Sequence, residues 1–106
     1  MRATAITPAS ELLERDLQRN VIALLKLRGW RVAFTWSSIH SPKGFPDLVC
    51  IRRGEMLAIE CKRERGKTTP EQDAWLADFA LVPGVRWAGV LRPSMWLDGF
   101  LDGVVT

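Results

Sequence analysis

Three side chains suited to metal and phosphate chemistry, Asp47, Glu60 and Lys62, flank a single short turn. The runs before and after this turn, PDLVCI and MLAIEC, are rich in β-branched and apolar residues, and Arg53-Gly54 between them predicts a two-residue hairpin loop. In that register Asp47 lies directly opposite Glu60, with the side chains about 5 Å apart. Two carboxylates at this separation repel each other, so we expect a divalent cation between them.

The alternation of side chains along a strand predicts which groups reach this point. It places Glu60 and Lys62 on one face and the Cys61 side chain on the other, so that only the backbone carbonyl of Cys61 can contribute to the site. Asp47, Glu60 and Lys62 are therefore predicted to converge. A three-residue loop would slip the register by one residue and separate the two acids.

Length and composition indicate one small domain. A chain of 106 residues has room for one hydrophobic core, so we expect residues 1–106 to form a single domain. The formal net charge of +3 is only weak support for a nucleic-acid partner. Cys50 and Cys61 are not opposed in the hairpin, which disfavours a disulfide and fits a reducing compartment. With neither a signal peptide nor an apolar run of the roughly 18 residues needed to span a bilayer, we expect a cytoplasmic protein.

The first predicted helix carries an acid on its apolar side. It begins at Thr7-Pro8 or at Ser10 and ends near Arg28, and at 100° per residue Glu14 falls within the stripe of leucines and valine. Gln18, one turn later, lies on the same stripe. An acid in that position needs a partner. Periodicity alone favours an edge position or a pairing with an arginine as the explanation of Glu14 over a functional role.

Two polar loops flank the hairpin. The first, Ser37 to Lys43, contains the single histidine, His40, which in a loop is more often solvated than catalytic. The second follows Lys62 and is strongly basic. Such charge runs are usually solvated, but attachment to Lys62 makes contact with phosphate an equal alternative. The candidates for nucleic-acid contact are His40, Lys43, Arg63, Arg65 and Lys67.

A capping box predicts the start of the second helix. Thr69 is placed as the N-cap, Pro70 as the first helical residue and Gln72 three residues after the cap, and the helix is expected to end near Leu81. The cap alone accounts for Gln72. Any functional role for this glutamine must therefore rest on other evidence.

The order of elements predicts an α/β fold. Trp30–Trp36 and Val85–Leu91 are predicted strands outside the hairpin, and a short final helix is expected from Ser94. Consecutive strands followed by a helical crossover into a last strand imply a mixed four-stranded sheet flanked by helices.

This arrangement, with Pro46-Asp47 and Glu60-Cys61-Lys62 in the hairpin, resembles the PD-(D/E)xK nuclease superfamily. Within the superfamily it is most similar to a small stand-alone VRR-NUC domain of phage or bacterial type. Four matches in the right order carry the resemblance: Glu14 followed by Leu17-Gln18, Gly44 to Leu48, Glu60-Cys61-Lys62, and Gln72.

The resemblance implies a restriction-endonuclease-like αβββαβ core and a metal-dependent nuclease. The positions matching Glu14, Asp47 and Glu60 hold the metal in the family, the one matching Lys62 assists the attacking water, and Gln72 supports the site. Oxygen ligands, including the Cys61 carbonyl, suit Mg²⁺ or Mn²⁺ better than zinc. Small family members are homodimers that cut branched DNA such as Holliday junctions, so we expect the same here.

Other functions stay open at this point. The chain could be a nickase or a nuclease for flaps, linear DNA or RNA, a non-catalytic nucleic-acid-binding module, or a small structural protein with no nucleic-acid role. A pure binding module gains nothing from clustered acids that repel phosphate.

Overall fold

The element order follows the sequence prediction. The computed structural model describes residue 9, residues 12–35 and residues 41–106. Its helices and strands are α1 (Glu14–Leu27), β1 (Arg31–Phe34), β2 (Leu48–Arg52), β3 (Glu55–Cys61), α2 (Pro70–Ala80), β4 (Val85–Leu91), α3 (Pro93–Leu97) and α4 (Phe100–Val105). The predicted final helix is thus two short helices, separated at Gly99, whose φ of 79° is left-handed.

The four strands form one mixed sheet in the order β1-β2-β3-β4, which confirms the predicted fold class. β1 and β2, and β2 and β3, pair antiparallel, whereas β3 and β4 pair parallel. Leu48 pairs with Ile59 and Cys50 with Leu57, which is the predicted hairpin register. Arg53 and Gly54 both have positive φ, 52° and 80°, as a type I′ turn requires. The two-residue loop is therefore confirmed.

The hydrophobic core lies between α1 and one face of the sheet. Leu17, Val21 and Leu25 of α1 are completely buried and belong to one cluster with Leu48 and Leu57. Removing a leucine or valine side chain of this kind from water contributes roughly 1.5–3 kcal/mol. The apolar stripe predicted for the first helix is thus the surface that attaches it to the sheet.

The opposite face of the sheet is only partly covered. Helix α2 packs against β4 and β3 on this side, whereas Ile51 on β2 remains 45% exposed. By strand alternation the side chains of Asp47 and Glu60 belong to this second face. The predicted site therefore lies at the end of the hairpin away from the turn, on the face that α2 partly covers.

The first helix begins later than predicted. Thr7, Pro8 and Ser10 lie outside the described residues, but Leu13 is extended, with φ −73° and ψ 151°, and the helix starts at Glu14. A start near Ser10 is therefore wrong. Acids in the first turn of a helix interact favourably with the helix dipole, and Glu14 and Asp16 occupy the first turn of α1.

None of the helices in the described part combines the length and apolar character of a bilayer-spanning segment.

Candidate active site

The loop before Asp47 crosses the start of α2 at very short range. Gly44 has a φ of 82°, and a Cβ atom placed on it would lie 2.6 Å from the backbone carbon of Glu71. Only glycine fits this crossing, because both the conformation and the space exclude a side chain. Gly44 thus brings the loop against the helix that also carries Gln72.

Aromatic packing fixes the same loop. The Phe45 ring lies edge-on to Trp75 and Phe79 of α2, with centroids 5.0 and 5.9 Å away. The Trp75 indole N–H also donates to the Lys43 carbonyl at 3.1 Å. Aromatic pairs of this geometry contribute about 0.5–1.5 kcal/mol each beyond their area. The loop leading to Asp47 is therefore held by the second helix.

Asp47 is held by the backbones of both neighbouring strands. Its carbonyl accepts a hydrogen bond from the Thr35 amide at 2.9 Å, which extends the β1–β2 pairing by one residue. Its carboxylate oxygen Oδ2 accepts from the Cys61 amide at 2.9 Å. The carboxylate is thereby directed across the hairpin to the end of β3, where Glu60 lies.

Glu60 is almost completely buried, with 2% of its surface exposed. Its Oε2 accepts a hydrogen bond from Gln72 Nε2 at 3.1 Å and lies 3.9 Å from Lys62 Nζ. Its other oxygen, Oε1, is buried and accepts no hydrogen bond from the described residues. A buried carboxylate oxygen without a donor is costly, and a cation would relieve that cost.

Glu14 completes a cluster of three acids. One carboxylate oxygen from each of Glu14, Asp47 and Glu60 lies within 4.8 Å of the others. Glu14 is half-buried at the first turn of α1, so both an edge position and a place beside the other acids describe it. Helix α1 thus brings Glu14, whose place here only the family resemblance implied, to the two acids that the hairpin register predicted to converge.

The pKa values of these acids are displaced in a common direction. Burial raises the pKa of Glu14 and of Asp47 above the usual carboxyl range, although Lys62 opposes the change. The pKa of Glu60 rises to about 8, chiefly through burial and then through the negative charge of Asp47. Three acids that resist ionisation at short range form a site that a divalent cation would stabilise.

Lys62 joins the acids as predicted. It follows the last residue of β3, and its amide donates to the Leu91 carbonyl at 3.1 Å, which continues the β3–β4 pairing. Only 15% of its side chain is exposed, and the ammonium group lies beside Glu60. A partly buried cation next to the carboxylates is available to a phosphate oxygen or a water molecule.

Gln72 contacts both the helix cap and the acid cluster. Its Oε1 accepts from the Thr69 amide at 2.9 Å while its backbone amide donates to Thr69 Oγ1 at 3.2 Å, which confirms the capping box. Its Nε2 donates to Glu60 at the same time. The cap and the contact with the acid are therefore both present, and neither excludes the other.

The remaining predicted residues divide into several groups. His40 lies outside the described residues. Lys43 is exposed and forms a 3.9 Å ion pair with Glu71. The amide of Cys61 contacts Asp47, while a metal contact through the Cys61 carbonyl stays a prediction. The basic residues after Lys62 form a turn beside the site, and Arg63 is near enough to lower the pKa of Glu14.

One residue near the site, Arg92, was not predicted from the sequence. It follows β4 and donates through Nη1 to the carbonyls of Arg63, Glu64 and Gly66. It belongs to no recognisable motif, and only the parallel pairing of β3 with β4 brings it to this loop. No feature of the local sequence could have identified it.

The chain shows similarity to a known protein family over most of its length. The family model described as archaeal Holliday junction resolvase (Hjc) matches residues 13–83, a range that includes the three acids, Lys62 and Gln72. No curated protein and no solved structure matches the chain. The family is one of nucleases of the PD-(D/E)xK type, and its model covers well over half of the sequence. The chain therefore belongs to the Hjc family of nucleases.

Proposed function

We propose that this protein is a divalent-metal-dependent endonuclease that cuts branched DNA, with four-way junctions as its main substrate. The observation that supports this best is the convergence of Glu14, Asp47 and Glu60 beside Lys62. Membership of a family described as Holliday junction resolvases supports the choice of substrate.

Glu14, Asp47 and Glu60 would hold the metal, with the Cys61 carbonyl as a further oxygen ligand. Mg²⁺ and Mn²⁺ are the ions we propose, because all of these donors are oxygen atoms. When bound, such an ion supplies positive charge to the scissile phosphate and makes water at the site more acidic. Among the described residues, Oε1 of Glu60 is a buried acceptor without a hydrogen-bond donor, which a bound cation would satisfy.

The chain's own residues perform the other tasks. We propose that Lys62 orients the attacking water or donates to a phosphate oxygen, since its ammonium group lies 3.9 Å from Glu60. Gln72 keeps Glu60 in one orientation through its hydrogen bond to Oε2. Removal of one such group typically lowers the rate by about 10²–10³.

Basic residues around the acids would hold the DNA backbone. Arg63 lies close enough to lower the pKa of Glu14, and Lys43, Arg65 and Lys67 belong to the chain segments that adjoin Asp47 and Lys62. We include His40 with them. Phosphate contacts of this kind fix the position of the duplex arms and carry no sequence information. Selectivity for branched DNA would then come from the angle between arms rather than from base contacts.

We further propose that the active form is a homodimer of single-domain chains. One site hydrolyses one strand, so symmetric resolution of a four-way junction needs two copies related by a two-fold axis. Sedimentation should therefore give twice the chain mass. We also propose VRR-NUC domains as close relatives within the superfamily, because of the four sequence matches. A cytoplasmic location is proposed because the two cysteines are free and buried, as expected in a reducing compartment.

The decisive experiment compares substrates, metals and variants together. Four-way, flap and linear duplex DNA are incubated with Mg²⁺, Mn²⁺ or EDTA and with wild type, Asp47→Asn or Asp78→Asn. We expect metal-dependent cutting of the four-way junction, its loss in Asp47→Asn, and full activity in Asp78→Asn, whose acid is exposed on α2. Equal cutting of linear duplex would refute junction selectivity, and unchanged activity in Asp47→Asn would identify a contaminant.

A further inference from the structure

Arg92 makes an unusual set of contacts beside the proposed site. Its Nη1 lies 2.8 Å from the Arg63 carbonyl, 3.2 Å from that of Glu64 and 2.7 Å from that of Gly66. Three backbone acceptors thus surround one guanidinium nitrogen. Hydrogen bonds from a charged donor are roughly twice as strong as neutral ones. Arg92 is therefore the main attachment of this loop to the end of β4.

A second tether fastens the same loop from the other direction. The Glu64 carboxylate accepts a hydrogen bond from the Ser94 amide at 2.9 Å, at the start of α3. Within the loop, the Gly66 amide donates to the Arg63 carbonyl at 3.0 Å. The segment Arg63–Gly66 is consequently a compact turn, held from the end of β4 and from the start of α3.

The charge of Arg92 is the informative feature. The loop and its neighbours already carry four cations, Lys62, Arg63, Arg65 and Lys67, which repel one another. Glu64 is the one acid of the turn, and its attraction to Arg92 and Arg65 offsets part of that repulsion. The three hydrogen bonds from the charged Arg92 donor can hold the backbone of the turn closed against the remaining repulsion, so that Arg63 and Arg65 keep their charges side by side.

We propose that Arg92 is a positioning residue that holds the Arg63–Gly66 turn, so that Arg63 and Arg65 remain beside the acid cluster to receive a DNA phosphate. This inference rests on the proposed nuclease function. Arg63 already influences the cluster electrostatically in this geometry. Lys62 depends less on Arg92, because its amide is fixed by the Leu91 carbonyl.

The first test needs no nuclease activity. Trypsin cuts after arginine and lysine, so an opened loop would be cleaved after Arg63 and Arg65. We expect Arg92→Gln to be cut there at least about tenfold faster than wild type. The substitution removes hydrogen bonds from the Arg92 guanidinium group that close the loop, and it therefore raises the population of the open loop. Arg86→Gln is the matched control: it removes an arginine of β4 that contacts Glu55 and Thr106 instead.

The second test separates binding from chemistry. On a four-way junction with Mg²⁺, Arg92→Gln should raise KM about tenfold, which is the effect expected from losing one or two phosphate contacts. The kcat should change less than about threefold. Arg92→Lys should restore most of the affinity, because an ammonium group offers three donors to the same carbonyls. Arg86→Gln should change KM less than about twofold.

The outcomes distinguish this proposal from the proposed function. Loop cleavage and KM in Arg92→Gln equal to those of Arg86→Gln would overturn the role of Arg92. If wild type cuts no DNA with any metal, the nuclease proposal fails, while the trypsin result still decides whether Arg92 holds the loop. If Arg92→Gln does not fold by circular dichroism, Arg92→Met replaces it, because this side chain keeps the bulk of the stem and offers no donor to the three carbonyls. Faster loop cleavage in Arg92→Met supports the role of Arg92, and wild-type cleavage refutes it.

Discussion

The burial of Glu60 destabilises the metal-free fold at a position where we propose that a metal binds. Its side chain is buried next to Asp47, one of its oxygens has no donor among the described residues, and its pKa is raised to about 8. Each of these features opposes folding when no metal is bound. The strand position of Glu60 is thus explained by its chemistry rather than by packing.

Glu60→Gln should therefore have opposite effects on the stability of the metal-free fold and on the rate of DNA cleavage. The new amide keeps the acceptor for Gln72 and offers a donor toward Asp47 in place of the orphaned oxygen. At about pH 9, above the pKa of Glu60, where the wild-type carboxylate is ionised, we expect the metal-free variant to be more stable than wild type by about 1–3 kcal/mol, the usual penalty of an unsatisfied buried group. Its cleavage rate should fall by about 10² or more. Denaturant titration in EDTA and a junction assay measure the two effects.

The control for this variant is Asp78→Asn, which neutralises an exposed acid of α2. It should leave both stability and activity within error of wild type. A loss of stability in Glu60→Gln without metal would show that the ionised carboxylate is not strained in the fold.

The pH dependence of stability follows from the same three acids. Because the pKa of Glu60, and those of Glu14 and Asp47, lie above the unfolded values, the native state binds more protons than the unfolded state. This contribution is present below pH 4.5 and is lost as the pH rises through about 8. In EDTA the free energy of unfolding should fall over that window by roughly 2–4 kcal/mol, since each tenfold difference in proton affinity between the folded and unfolded chain is worth about 1.4 kcal/mol.

Mg²⁺ should reduce that fall, because a cation stabilises the ionised acids. Denaturant titrations at several pH values with EDTA or Mg²⁺ test this directly. A metal-free stability that rises from mildly acidic to mildly alkaline pH would contradict the raised pKa values.

Among the elements, the start of α2 combines a structural and a chemical task. The Gln72 side chain caps the helix through Oε1 and contacts Glu60 through Nε2. Substitutions can divide these tasks because they use different atoms.

Gln72→Glu retains the capping acceptor but places a second carboxylate against Glu60. We expect stability to change by less than about 1 kcal/mol near pH ~5, where a proton can bridge the acids, and the cleavage rate at neutral pH to fall at least about tenfold. Thr69→Ala should have the opposite pattern. We expect its free energy of unfolding to fall by about 0.5–2 kcal/mol because the helix cap is lost, while kcat stays nearly normal. Equal activity of the two variants would show that the Gln72 contact has no catalytic value.

The loop that carries Asp47 is equally dependent on one residue. Gly44→Ala should be severely destabilising, because it adds a 2.6 Å clash with the Glu71 backbone to the strain of a φ of 82°. Gly99→Ala is the matched control, since Gly99 has a φ of 79° and no atom within 4 Å of the added Cβ. We expect about 1 kcal/mol for Gly99→Ala and at least about 2–3 kcal/mol more for Gly44→Ala, measured by thermal denaturation.

Local sequence patterns predicted the parts of this fold that depend on near neighbours. The turn at Arg53-Gly54 fixed the register that brings Asp47 to Glu60, and Thr69 to Gln72 predicted the second helix start. The contacts of Arg92 were not predictable, because they depend on the parallel neighbour of β3, which is distant in the chain. The late start of α1 was also missed, since several residues before Glu14 could equally have served as a cap.

At the scale of the whole molecule, charge is distributed unevenly. The described basic residues Lys62, Arg63, Arg65 and Lys67 lie together near the acid cluster, although the net charge of the chain is only +3. Glu64 and the three clustered acids, Glu14, Asp47 and Glu60, cancel these four cations when all are ionised. A divalent cation bound by the cluster would leave an excess of two positive charges there, which attracts a polyanion. The affinity that we expect for DNA therefore depends on a bound metal more than on the composition.

Salt dependence measures this local charge. Lys67→Gln should lower junction affinity in Ca²⁺ or EDTA and reduce the slope of log K against log salt by about 0.9, the value for one phosphate contact. Arg53→Asn removes a charge at the far tip of the hairpin while tolerating the positive φ there, and should leave the slope unchanged. Identical slopes in both variants would show that the loop does not touch the backbone of DNA.

The side-chain amide of Gln72 connects the winding of a helix end to the orientation of a buried acid. Its oxygen accepts from the Thr69 backbone when the first turn of α2 is wound, and its nitrogen then donates to Glu60. A chain with that turn unwound would retain every acid and lose this hydrogen bond to Glu60. If Gln72 supports the site as we propose, such a partly folded copy would cleave DNA poorly.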